Sequence, residues 1–192
     1  MESVLDVGVG SGIFLACLAR LGAKNLWGVD ISASALNATE DLLRQEVPTV
    51  PRHLLEGDMW CPLDPKQRFD VIVANLPHFP ANIIPNDRPK TWTGGEGRIL
   101  MNRFIQALPQ RLQPNGIAFI THHDLVGLTA TMQCIRSSGL EGKTVSQWTV
   151  FESPERMSAV SPQVILEGNE TLEYFGGYAF IDARTIAITL NG

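Results

Sequence analysis

The sequence predicts an α/β fold: a doubly wound, mostly parallel seven-stranded sheet with an antiparallel C-terminal edge. Three observations carry that prediction. Short apolar runs alternate with longer helix-period segments over the first two thirds of the chain, the rhythm of a parallel sheet wrapped by helices. A turn rich in glycine joins the first apolar run to the first helical segment. The last third carries strand-like runs with few helical signals. At 192 residues, 44% hydrophobic and 18% charged, the chain suits one folded domain with a substantial core. That domain is expected to span 1–192, with a ligand-binding core over 1–139 and a sheet edge and candidate substrate lid over 140–192.

The elements follow in order. Residues 3–7 (Ser-Val-Leu-Asp-Val) end at glycine, as a buried parallel strand does. Residues 11–22 carry Ile13, Phe14, Ala16, Cys17, Leu18 and Leu21 at helical spacing and stop at Gly22. Residues 25–30 form a second strand. Ser32 is placed to cap a helix through about residue 46, with Ala35, Leu36, Ala38, Leu42 and Leu43 on its apolar side. Arg52 to Glu56 reads as a weak third strand, and Phe69 to Ala74 as the clearest strand of all. A loop rich in Pro, Asn and Gly runs to about Gly97, ahead of a helix over 98–112. Asn115-Gly116 predicts a turn before a fifth strand at 117–121, and residues 125–138 predict another helix. Trp148 to Phe151, Gln163 to Leu166 and Thr185 to Leu190 are expected to be strands closing one edge.

Composition narrows the function classes. Twenty acidic residues against fifteen basic ones give a net charge of −5, and no basic run offsets it. A global electrostatic grip on nucleic acid is therefore disfavoured, while a local patch stays open. No apolar stretch reaches the length of a membrane span, and the N-terminus lacks a signal peptide's basic and apolar regions. Three scattered cysteines, Cys17, Cys61 and Cys134, form no C-x-x-C pair. This predicts neither a disulfide framework nor a zinc site and fits a reducing, cytoplasmic setting.

The turn Asp6-Val7-Gly8-Val9-Gly10-Ser11-Gly12 carries the first chemical signal. Its glycines permit a sharp bend and close approach of a ligand, and the helix after it offers unpaired N–H groups. The dinucleotide pattern G-x-G-x-x-G would need glycine at position 13, which is Ile13. The carboxylate of Asp6 just before the loop would repel a pyrophosphate but welcome a cation. S-adenosylmethionine carries an ammonium and a sulfonium and no phosphate, so the charges favour it over NAD. Asp30, 18 positions beyond Gly12 and followed by Ile31, ends the second strand, where an acid can accept from both ribose hydroxyls. After the third strand, Asp58 could accept from an adenine amino group and Met59 could pack on the ring. Capping and turn roles are the bland alternatives for Asp30 and Asp58.

Asp6 through Gly12, Asp30, Asp58 and the sheet order resemble the class I S-adenosylmethionine-dependent methyltransferases, over most of the chain and weakening after about residue 145. The resemblance implies a Rossmann-like fold, S-adenosylmethionine as cofactor, and Asp6, Gly8, Gly10, Gly12, Asp30, Ile31, Asp58, Met59 and Asn75 around it. Asn75-Leu76-Pro77-His78, after the strongest strand, resembles the Asn-Pro-Pro-Tyr motif of enzymes that methylate planar nitrogens. The Asn75 side-chain oxygen and the Leu76 carbonyl are then the acceptors for two N–H groups of the substrate, Pro77 fixes the turn, and the fourth residue stacks. The pattern is broken twice: Leu76 stands for the first proline and His78 for the aromatic residue, with Phe79 a substitute for stacking. Thr93-Gly94-Gly95-Glu96-Gly97-Arg98, ahead of Arg103-Phe104, resembles a segment of the release-factor glutamine methyltransferases.

The resulting expectation is N-methylation of a protein glutamine amide. A small molecule or a nucleic-acid exocyclic amine as acceptor, or a non-catalytic cofactor-binding module, are the alternatives. His122-His123-Asp124 reads as a polar connection with Asp124 as helix N-cap, against a metal site or proton relay, so no metal is expected. Trp92, Trp148, Phe151, Tyr174, Phe175 and Tyr178 either roof a pocket or pack, and Gly176-Gly177 is a lid hinge or a hairpin turn. Because the first residues already read as a core strand, a second copy or a partner subunit is expected over the exposed cofactor edge.

Overall fold

A computed structural model of the chain describes residues 1–80, 97–168 and 171–191. They pack as two compact units. The first takes the described residues of Met1–Asn75, Ala107–Phe119 and Thr189–Gly192, and the second those of Leu76–Gln106 and Ile120–Ile188.

The first unit is the β-α-β half of the prediction. It holds β1 (Ser3–Val7), α1 (Ile13–Arg20), β2 (Asn25–Asp30), α2 (Ala33–Glu46), β3 (Arg52–Glu56), β4 (Phe69–Ala74) and most of β5 (Leu112–His123), in the strand order β3-β2-β1-β4-β5. β1 pairs in parallel with both β2 and β4. Val7 stands opposite Val29 on one side and Ala74 on the other, so the carboxyl ends of three strands finish level. The core between sheet and helices is Val4, Leu15, Ala16, Leu26, Leu43 and Val71 with their neighbours. Burying each of its large aliphatic side chains contributes roughly 1.5–3 kcal/mol. α1 is shorter than the 11–22 expected, because Gly12 precedes it with a left-handed φ of 80°. Ser32 occupies the N-cap of α2 but its hydroxyl pairs with that of Ser34 instead of capping, a correction to the expectation.

The second unit holds the start of α3 (Ile99–Arg111), the end of β5, a single 3₁₀ turn (Asp124–Val126), α4 (Leu128–Ser137), β6 (Leu140–Glu152), α5 (Pro154–Ser158), α6 (Pro162–Gly168), β7 (Glu173–Phe175) and most of β8 (Tyr178–Leu190). β8 lies between β5 and β6, and β7 pairs antiparallel with β8. The sheet has eight strands among the described residues where seven were expected; three residues of β7 fold back through the Gly176-Gly177 turn, and the run at 163–166 is not one of its strands. Both glycines have positive φ, 58° and 85°, as a tight hairpin turn requires.

Two elements differ from the sequence reading. Gln163 to Leu166 is helical, not a strand: the Ser161 hydroxyl accepts from the Val164 N–H at the start of α6, Val164 is buried and Leu166 is exposed. Asn115-Gly116 is strand, not turn. A Cβ on Gly116 would lie 2.8 Å from the Phe69 carbonyl, so glycine answers a close backbone approach there. β6 runs well beyond Trp148–Phe151, and Val145, Trp148 and Phe151 on it are exposed. Among the described residues no helix is long and apolar enough to cross a membrane.

Candidate functional site

The level strand ends of the first unit position the predicted cofactor residues. Gly8 and Val9 both donate to the Val29 carbonyl at the end of β2, at 2.8 and 3.1 Å. One residue past the Val7 level stand Asp30 on β2's side and Asn75 on β4's. Asp30 accepts from the Gly10 N–H at 3.0 Å with one carboxylate oxygen and from the Ser32 N–H at 2.9 Å with the other. Its carbonyl takes the Gly57 N–H, which draws the loop after β3 alongside. The glycine loop, Asp30 and the turn at Asp58-Met59 are thus stitched together by N–H groups donating to the Asp30 carboxylate and carbonyl.

The glycines are needed for different reasons. Gly10 has φ 54°, and a Cβ there would meet only the Gly8 carbonyl at 3.8 Å, so its outer side is open. Gly12 has φ 80°, and a Cβ would strike the Thr39 side chain at 2.7 Å. Thr39 is fully buried and its hydroxyl donates to the Gly10 carbonyl, fixing the loop from below. The sequence reading missed Thr39, since a threonine amid helix formers gives no periodic signal. Met59 adopts φ 54°, a left-handed conformation costly for a side-chain-bearing residue, and is buried. Asp58, Asn75 and Ile31 are exposed. Arg111 reaches the Asp64 carbonyl at 2.6 Å and lies over the Trp60 ring, tying down the turn after Asp58.

Asp6 is the electrostatic centre. It is 1% exposed, and neither carboxylate oxygen has a hydrogen-bond partner among the described residues. Burial, with repulsion from Asp30, raises its pKa from 3.8 to about 7. A buried acid with no partner two residues ahead of the glycine loop has the chemistry to hold a cationic group such as the ammonium of S-adenosylmethionine, which would supply the missing counter-charge. Asp30 keeps a lone pair on each oxygen for ribose hydroxyls beyond the two N–H groups it accepts. The capping role and the ligand role of Asp30 are therefore compatible.

The second unit carries the rest of the acceptor motif. Leu76, Pro77 and His78 are half-buried and Phe79 is buried. The His78 Nδ1 lies 2.5 Å from the Leu76 carbonyl oxygen, which can only accept, so Nδ1 carries the hydrogen. Burial, aided by the neighbouring His123 and His122 and opposed by the Leu76 bond, lowers the His78 pKa to about 4. At neutral pH it is uncharged. Phe79 meets the His123 ring edge-on, and the Arg156 guanidinium sits over Phe79 at 4.3 Å. Glu152, buried at the end of β6, stands 3.4 Å from His123 Nε2 and 2.9 Å from Arg156 Nε. Of the Thr93-to-Arg98 segment, Thr93 to Glu96 lie outside the described residues, as does Trp92. Gly97 packs on the His78 carbonyl, and Arg98 donates to the Gly127 carbonyl and Thr131.

Asp124 is not a helix cap, as expected, but half of a buried ion pair. Arg184 donates to both its oxygens at 2.9–3.1 Å, Thr171 donates to one, and His122 stands 3.3 Å away. Burial alone would raise its pKa, but the His122 and Arg184 contacts outweigh that and hold it at about 2. The N-cap position belongs to His123, whose Nδ1 accepts from Leu125. No group of three metal ligands occurs among the described residues. Tyr174, Phe175 and Tyr178 are exposed around the hairpin.

A family model described as a methyltransferase domain matches residues 4–86. A Methanocaldococcus jannaschii protein provisionally named a protein N5-glutamine methyltransferase is 30% identical over 144 residues, 73% of this chain and 71% of that protein. The ribosomal protein L11 methyltransferase of Laribacter hongkongensis is 32% identical over 58% of this chain and 35% of its own length. The release factor glutamine methyltransferase of Gloeobacter violaceus is 28% identical over 78% of this chain and 56% of its own length. The chain thus spans about a third to a half of the latter two. Two solved structures share the fold. The YcgJ protein of Bacillus subtilis has a TM-score of 0.66 at 14% identity, over 100% of this chain and 93% of its own. The E. cuniculi Mtq2-Trm112 complex, described as responsible for methylation of the eRF1 translation termination factor, has 0.63 at 17%, over 100% and 86%.

Proposed function

The chain belongs to the class I S-adenosylmethionine-dependent methyltransferases, and from that premise we propose that it methylates a planar nitrogen, with a protein glutamine amide as its acceptor. The observation that carries this reading is Asn75-Leu76-Pro77 at the carboxyl end of β4, one residue past the Val7–Ala74 pair. The names of two relatives, an N5-glutamine and a release-factor glutamine methyltransferase, support the acceptor class. The net charge of −5 argues against nucleic acid.

In this reading Asp6 faces the ammonium, Asp30 the ribose hydroxyls, and Asp58 with Met59 the adenine, while Gly8, Gly10, Gly12 and Ile31 shape the floor. The bound cofactor supplies an electrophilic methyl on a sulfonium. An amide nitrogen is a poor nucleophile because its lone pair is delocalised into the carbonyl. The Asn75 side-chain oxygen and the Leu76 carbonyl each accept one of its N–H groups, which turns the lone pair out of the amide plane and fixes its direction. Positioning and fixed dipoles supply the rate, and the proton released on N–C bond formation passes to water. His78, neutral at pH 7 with a pKa of about 4, is not needed as a base. The E. cuniculi neighbour, a complex with a partner subunit, supports a partner subunit in acceptor recognition here.

Labelled methyl groups from S-adenosylmethionine should enter the protein fraction of a lysate and not its RNA or metabolite fractions. Asn75→Ala should reduce that transfer by about two orders of magnitude, the scale of losing one preorganised polar contact at the reacting group. S-adenosylhomocysteine binding should stay near the wild-type value. Undiminished transfer by Asn75→Ala would refute the mechanism.

A further inference from the structure

We propose that the two departures from the Asn-Pro-Pro-aromatic pattern compensate each other: His78 is a positioning residue whose Nδ1–H holds the Leu76 carbonyl in the orientation that a proline ring at position 76 would impose. The catalytic half of this inference rests on the acceptor role given to Leu76 under Proposed function; the conformational half does not.

Proline fixes its own φ near −65°. Leu76 has no such ring. Pro77 narrows Leu76 to the extended region, yet leaves its φ a wide range, so the direction of its carbonyl is underdetermined by the local chain. The imidazole two residues on removes that freedom. Its Nδ1 stands 2.5 Å from the Leu76 oxygen and closes a ring over the Leu76-Pro77 peptide. A Tyr or Phe at 78 could stack but has no donor at that position.

The clamp is itself held. A Cβ on Gly97 would come within 2.4 Å of the His78 carbonyl, so the Gly97 backbone packs directly against it. The His123 ring lies 6.4 Å from the His78 ring, centroid to centroid; its Nδ1 accepts from the Leu125 N–H and its Nε2 stands 3.4 Å from Glu152. Phe79, the next residue, is pinned between His123 and Arg156. A carbonyl oxygen has two lone pairs, so the bond from His78 leaves one for the substrate N–H.

The chain has four histidines, so ¹⁵N-histidine labelling with His78→Phe as the assignment control reads the His78 tautomer directly. The expected signature is a neutral ring protonated at Nδ1. A ring protonated at Nε2 would overturn the proposal. Melting temperatures of His78→Phe, Leu76→Pro and the double variant form a cycle, in which His78→Phe should cost markedly less once Leu76→Pro is present. Additive effects would overturn the proposal. In the labelled-methyl assay on the lysate protein fraction, His78→Phe should lower transfer about tenfold, the scale of slight misorientation, with S-adenosylhomocysteine affinity unchanged. Leu76→Pro/His78→Phe should recover most of the loss. His78→Asn, whose Nδ2 sits where Nδ1 was, should retain most activity, and His78→Gln should not. Equal transfer by wild type and His78→Phe would overturn the catalytic half. If the wild type transfers nothing to protein, the acceptor reading fails, while the tautomer and the thermal cycle still decide the clamp.

Discussion

Two aspartates at strand ends are buried almost equally and behave oppositely. Asp6, in β1, is 1% exposed with no partner among the described residues. Asp124, directly after β5, is 4% exposed and surrounded by Arg184, Thr171 and His122. The first has its pKa raised to about 7 and the second lowered to about 2. Burial is common to both, so the partner decides the sign. An acid whose counter-charge is a side chain of the same unit is structural. An acid buried without one is the group to which the proposed function assigns the cofactor's ammonium. The rise at Asp6 corresponds to roughly 4 kcal/mol held against the ionised form.

The largest effect that tests this contrast is Asp124→Ala. It leaves the half-buried Arg184 with Asp182 and Gln147 as its remaining partners and should cost about 3 kcal/mol in denaturant unfolding; a loss below about 1 kcal/mol would break the structural assignment. Because the folded pKa lies below the ordinary 3.8, the contribution of Asp124 is complete above about pH 4 and lost as pH falls through about 2. Next comes Asp6→Asn. S-adenosylhomocysteine, which keeps the ammonium, should bind it about 100-fold more weakly in isothermal titration, the scale of one charge-assisted contact. Its folded pKa lies above 3.8, so the favourable contribution of Asp6 is complete below about pH 4 and lost as pH rises through about 7. The ligand-free variant should therefore melt higher than wild type at pH 8, with the gap narrowing below about pH 7 and closing near pH 4. A gap independent of pH would show that Asp6 is not the titrating group. The smallest effect is Gly12→Ala, whose Cβ would meet Thr39 at 2.7 Å in a backbone of φ 80°. It should cost about 1–3 kcal/mol by thermal melting, with Thr39→Ser relieving part of it.

The same contrast explains what could be read from the sequence. The cradle was legible because its residues are spaced by local rules: glycines at alternate positions in one turn, and acids at the ends of recognisable strands. Its one hidden member, Thr39, acts from inside a helix whose pattern it does not disturb. The second unit was less legible because its contacts join residues far apart. The Arg184–Asp124 pair spans 60 positions, and Glu152, His123, Arg156 and Phe79 meet only when three elements are folded. Gln163 to Leu166 misled because a short apolar run has no period of its own, and the capping Ser161-Pro162 pair decides for helix. His78 was noticed as a departure from a pattern, but its bond to Leu76 depends on ring geometry that spacing does not encode.

The position of β8 has a consequence for synthesis. In the strand order β5-β8-β6, β8 is made after both of the strands it enters between. β6 emerges with Val145, Trp148 and Phe151 on its surface, and the 25 residues 153–177 must follow before its neighbour begins at Tyr178. At roughly 5–20 residues per second of translation, β6 waits on the order of seconds as an unpaired, partly apolar strand. Arg184 arrives in the same strand, so Asp124 lacks its ion-pair partner over the same interval. Nascent chains halted before Tyr178 should be cut by protease within β6, whereas those released beyond Leu190 should resist. The second unit is thus committed to fold after translation has passed it, while the cradle of the first can assemble its early strands as they appear.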